Sequence, residues 1–112
     1  MESGASRVSE ASNERLCVEL WVSLASLLRS YTAAHGLNKS LQATVELGER
    51  RITVRHGASW LELEREGAQV RWRREDGPAG LMELTEAGRL RTGVREEEMD
   101  MVAEAWAREL MV

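Results

Sequence analysis

Within four runs between Leu41 and Trp72, apolar residues recur at every second position, and this constrains the chain more than any other feature. Successive side chains of a strand point to opposite faces, so a two-residue period means one dry face and one wet face. Leu41, Ala43, Val45 and Leu47 alternate with Gln42, Thr44 and Glu46. Ile52 and Val54 alternate with Arg51, Thr53 and Arg55, and Leu61 and Leu63 with Trp60, Glu62 and Glu64. Val70 and Trp72 alternate with Gln69, Arg71 and Arg73. Turn chemistry separates the runs: Gly48-Glu49, the segment 56–59, Glu66-Gly67, the loop around Pro78 and Glu86-Ala87-Gly88.

Register can be tested on the sequence, because a slip of one residue inverts a whole strand. A hairpin closed at Gly48-Glu49 sets Val45 against Ile52 and Glu46 against Arg51. Closing over residues 56–59 sets Val54 against Leu61 and Arg51 against Glu64. Closing at Glu66-Gly67 sets Leu61 against Trp72 and Glu62 against Arg71, and the series continues with Trp72 beside Met82, Arg71 beside Glu83 and Glu83 beside Arg91. Apolar meets apolar on one face throughout, so the sequence predicts an antiparallel meander of five or six strands.

Helical periodicity flanks the meander. Ser12 or Asn13 can cap a first helix that runs to His35, with Gly36 as a left-handed C-cap. Its polar residues Arg15, Glu19, Ser23, Ser26 and Ser30 form one strip, and apolar residues fill the remaining arc of roughly 240°. One sheet contact needs far less than that. The excess, at Val18, Val22 and Ala25, is the expected contact of a two-fold homodimer. A second helix follows Thr92 or Gly93, with Glu96, Glu97, Glu98 and Asp100 near its positive end. Met99, Val102, Ala103, Trp106 and Leu110 form its buried stripe. The fold class is therefore α+β: a two-layer sandwich in which an N-terminal and a C-terminal helix cover the apolar face of the sheet. Residues 1–11 are small and polar and are expected to be a disordered tail ahead of a single domain over residues 12–112.

The segment SWLELEREGAQVRWRRE, residues 59–75, interleaves arginine with tryptophan as a nucleic-acid surface does. Alternation breaks that impression. Trp72 belongs to the dry face, and the arginines fall into rows with glutamates: Thr44, Thr53, Glu62, Arg71, Glu83, Arg91 in one, and Glu46, Arg51, Glu64, Gln69 in another. A third row, Gln42, Arg55, Trp60, Arg73 with Leu81 next, differs. It turns a tryptophan to water between two arginines, the residue types that dominate protein contact sites. Arg55, Trp60 and Arg73 are the candidate partner contact.

A net charge of −4 disfavours nucleic acid and anionic membrane as partners of the whole domain. The single cysteine, Cys17, permits no internal disulfide and suits a reducing cytoplasm. The apolar stretch from Leu16 to Leu28 is interrupted by Glu19 and is too short for a bilayer. His35, His56 and Cys17 do not have metal-ligand spacing, and no phosphate loop or nucleophile elbow occurs. No catalytic, cofactor-binding or metal residues are expected. The order of helix, meander and helix over residues 13–112 resembles the frataxin arrangement. Frataxins carry an acidic ridge for iron on the first helix and adjoining strand. Here that strip offers Glu14 and Glu19 among serines and Arg15, so the resemblance implies a fold and not iron handling.

These features point to a small cytoplasmic protein-binding module, a homodimer, adaptor or chaperone-like domain, with no chemistry of its own. The alternative is a small-ligand-binding or catalytic domain with a cleft between helices and sheet. Such a cleft should carry inward polar groups. The inward set Val45, Ile52, Val54, Leu61, Leu63, Val70 and Trp72 has none.

Overall fold

The computed structural model describes residues 2–112, with side chains from residue 13 onward, so the side chains of the tail expected over residues 1–11 lie outside the described residues. Helix α1 (Glu2–His35) is followed by seven strands: β1 (Thr44–Leu47), β2 (Arg51–His56), β3 (Ser59–Glu66), β4 (Gln69–Arg74), β5 (Ala79–Leu84), β6 (Arg89–Thr92) and β7 (Arg95–Glu98). Helix α2 (Met99–Leu110) ends the chain. The strands form one open antiparallel sheet in sequence order, and one core is shared by both helices and the dry face of the sheet. The two-layer α+β architecture is thus the observed one, with seven strands rather than five or six.

The additional strand is β7. Glu96, Glu97 and Glu98 do not stand in the first turn of α2; they pair with β6, Arg89 opposite Glu98 and Arg91 opposite Glu96. Two physical causes favour the strand. Gly93, at φ 61°, starts a two-residue turn that non-glycine residues resist. The acids also find arginines across the ladder, with Arg89 Nε bonded to Glu98 at 2.8 Å. Asp100 alone remains in the first turn of α2, where it accepts the Tyr31 hydroxyl at 2.9 Å.

Every strand keeps its expected face, but three hairpins close two residues later or earlier than the sequence rows implied. Val45 pairs with Val54 and not Ile52, Leu63 and not Leu61 pairs with Trp72, and Trp72 pairs with Gly80 and not Met82. In the β3–β4 hairpin the cause is Gly67. At φ 60° it takes the first turn position, so the turn is Gly67-Ala68 rather than Glu66-Gly67. In the first hairpin Gly48 N–H bonds the Arg51 carbonyl at 2.7 Å, which leaves Glu49-Arg50 as the turn. The β2–β3 register and the Glu83–Arg91 pair stand as expected.

Trp21, Leu24, Ala25 and Leu28 of α1 recur at helical spacing and are fully buried, and Val102, Ala103, Trp106 and Leu110 of α2 are buried. Neither end of α1 is capped as expected. Its helical range already includes Asn13, and Gly36 is not left-handed: its N–H still bonds the Thr32 carbonyl at 2.9 Å. Glycine eases a close approach there, since a Cβ would lie 2.9 Å from the flexible end of Met111 and 3.0 Å from the Thr32 carbonyl oxygen. Gly80 serves the same purpose on the sheet. A Cβ there would stand 2.7 Å from the Trp72 indole nitrogen, so its absence lets the ring lie flat over the strand, 6.0 Å from Trp106.

Two arginines enter the dry face. Arg65 follows Leu61 and Leu63 on β3, and Arg74 follows Val70 and Trp72 on β4. Arg65 lies 5.9 Å over the Trp21 ring, donates to the Gly67 carbonyl and reaches Glu14. Arg74 binds Glu109 of α2 at 2.6 Å. The Nε of each is buried without a hydrogen-bond partner among the described residues. The inward set is therefore not wholly apolar.

Candidate functional site

On the wet face the charges form a ladder. Arg51 binds Glu64 at 2.7 Å, Arg73 binds Glu62 at 2.6 Å, and Arg91 binds Glu83. Opposite charges in cross-strand register contribute about 0.2–1 kcal/mol per pair and hold the register. Arg51 holds the Glu64 carboxyl below its usual range, chiefly by this hydrogen bond. The arginines of residues 59–75 on this face are consumed by glutamates.

The row at Trp60 is arranged differently. Arg55 stands directly opposite Trp60 on β2. Arg73 stands opposite Glu62, one diagonal away, and its guanidinium covers the Trp60 ring at 5.5 Å. Arg55, Trp60 and Arg73 line one shallow open depression together with Thr53, Ser59 and Glu62. Of the five residues placed in this row from the sequence, these three come together. Leu81 is opposite Arg71 instead, and Gln42 lies before β1 with its amide on the Lys39 carbonyl. Glu75 was not anticipated. Its carboxylate accepts the Trp60 backbone N–H at 2.9 Å, and that bond is the main cause holding its carboxyl below the usual range. Only the closing position of the β3–β4 hairpin, which brings residue 75 level with residue 60, could have revealed it.

The two arginines differ in availability. Arg73 is engaged by Glu62, whereas Arg55 has no ion-pair partner among the described residues. The depression thus offers an indole face, a guanidinium that stacks on it and a second guanidinium able to donate to a carboxylate.

The expected dimer residues separate. Val18 and Val22 are 40% and 45% exposed, while Ala25 is fully buried in the core and forms no part of a surface. Cys17 is half-buried, and burial pushes its thiol above the usual value. It lines a largely apolar cleft between α1 and the ends of the sheet, with Leu16, Leu20, Ala68 and Leu84. Among the described residues no group of three His, Cys, Asp or Glu could hold a metal ion, and no helix is long and apolar enough to cross a membrane. His35 is tied to Glu104 of α2 at 2.9 Å, and His56 to the Leu41 carbonyl at 3.1 Å. Compared with protein-family models, curated proteins and solved structures, the chain matches none.

Proposed function

We propose that this chain is a protein-binding domain, an adaptor or chaperone-like module, that works through its open sheet face and performs no chemistry of its own. The depression formed by Arg55, Trp60 and Arg73 carries the reading. Among the described residues it is the place on the wet face where a tryptophan stands opposite a guanidinium, that of Arg55, with no acidic partner, and Trp and Arg are among the side chains most enriched in contact hot spots. Its chemistry suits a peptide segment that places a carboxylate beside an apolar side chain. The balanced charge ladder over the rest of the face supports a protein partner over nucleic acid. A cytoplasmic setting belongs to the same reading and rests on the single, half-buried cysteine.

Panning a peptide library on the immobilised domain tests it. Selected peptides should be acidic, and Trp60→Ala should weaken them by roughly 30-fold, about 2 kcal/mol. Arg55→Ala should weaken acidic peptides more than their amidated versions. Selection of peptides indifferent to both substitutions would overturn the assignment. A second reading, a small apolar ligand in the cleft between α1 and the sheet, draws on the largely apolar lining beside Cys17. An alkyl-chain probe displaced by Leu20→Trp would favour it.

A further inference from the structure

The two edges of the sheet differ. β7 presents Arg95, Glu96, Glu97 and Glu98, charges that blunt an edge against pairing. β1 presents Thr44, Val45, Glu46 and Leu47, and no strand pairs with its outer edge among the described residues. Register decides which backbone groups are open there. Gly48 N–H bonds Arg51 O, and Arg65 N–H bonds Arg50 O, each at 2.7 Å. Bonded and non-bonded pairs alternate along an antiparallel ladder. Thr44 and Glu46 therefore bond to β2, and Val45 and Leu47 turn their N–H and C=O groups outward.

Exposed apolar side chains lie along the same edge, beside a mixed depression in which Arg29, Thr32 and Ala33 of α1 meet Gln42, Ala43 and Val45. Val18 and Val22 share that helical stripe to within about 60°. Both are exposed, as are Leu37, Leu41 and Leu47. α1 runs antiparallel to β1, since Trp21 Nε1 bonds the Gly48 carbonyl at 3.0 Å at one end while Arg29 and Ala33 lie beside Val45 at the other.

We infer that β1 pairs with β1 of a second copy of this chain across a two-fold axis at Val45. Such pairing must match residues of equal parity if both copies are to keep their faces. Centred on Val45, it sets Val45 opposite its own copy, Thr44 opposite Glu46 and Ala43 opposite Leu47. The bonded pairs then fall on the residues whose groups point outward, and no like charges stand opposite each other on the strand. Centring on Glu46 would oppose two glutamates. The same axis brings the Val18–Val22 end of one α1 beside the Leu37–Leu41 end of the other, so apolar surface covers apolar surface. Glu19 of one copy comes beside the sole lysine, Lys39, of the other. Arg29, exposed on the same stripe, lies near the axis. This surface is separate from the Trp60 depression, and its test reads association rather than peptide capture.

Light scattering over a rising protein concentration should give twice the 12.6 kDa chain mass. Amide exchange at Val45 and Leu47 should slow as concentration rises, while Thr44 and Glu46 stay slow throughout. Val45→Pro, which removes an outward N–H, and Val22→Glu, which charges an exposed helix position, should each give a monomer with the far-ultraviolet spectrum unchanged. Should Val45→Pro unfold the chain, Val22→Glu and the exchange data still decide. A monomer at high micromolar concentration overturns the inference. So does a dimer that both variants leave intact, or Val45 and Leu47 exchange that is independent of concentration.

Discussion

Trp60 and Trp72 stand on opposite faces of one hairpin, and both are only partly covered. Trp72 is held by shape. It fills the space above Gly80 and tilts against Trp106, so its neighbours are fixed atoms. Trp60 is held by charge, under the Arg73 guanidinium and beside Arg55, so its neighbours are flexible chains in water. The same residue type thus serves packing in one place and presentation in the other. The difference lies in what each environment lets move.

Substitution sharpens that contrast. Trp72→Ala should cost about 3 kcal/mol, from lost burial and a residual cavity, measured by denaturant unfolding. Gly80→Ala attacks the same seat from the other side. The new methyl meets a rigid indole, so about 2 kcal/mol should be lost, and the Trp72→Ala background should largely remove that loss. Trp60→Ala should cost about 1 kcal/mol and leave the near-ultraviolet signal of Trp72 and Trp106 intact. Equal destabilisation by Trp60→Ala and Trp72→Ala would erase the comparison. The smallest effect is that of acid. The folded Glu64 and Glu75 carboxyls sit below the ordinary value of 4.5, so their contribution is present above that value and lost as pH falls through the lowered folded values. Stability measured from neutral pH downward should decline there, and a Glu64→Gln, Glu75→Gln variant should flatten the decline.

The faces were legible in the sequence because a two-residue period reports on them directly. The exact partners were less so. Moving a turn by one residue shifts the pairing by two and leaves every face unchanged, so hydrophobic matching is blind to it; only the demand of Gly67 for a left-handed turn position discriminates. β7 was illegible for another reason. Arg95–Glu98 carries no apolar residue, so it has no hydrophobic period, and its acids imitate the start of a helix. Arg65 and Arg74 did lie at dry-face parity, but arginine at such a position reads as a strand end until Trp21 and Glu109 are seen to receive it. At the candidate site, Arg55, Trp60 and Arg73 were legible from alternation, and Glu75 was not. Ala25 was misplaced because the width of an apolar arc does not show which part of it α2 and the sheet cover.

The sheet order also has a kinetic consequence. Each strand neighbours the one before it, so the sheet can grow by successive short loop closures with little entropy lost at each step. The helices are different: Tyr31 to Asp100 and His35 to Glu104 each join residues 69 apart in the chain. Contacts so distant in the chain are expected to close after the strands are in place. Substitutions at the α1–α2 contact should therefore speed unfolding with little change in the folding rate, while substitutions in the β2–β3–β4 hairpins should slow folding itself.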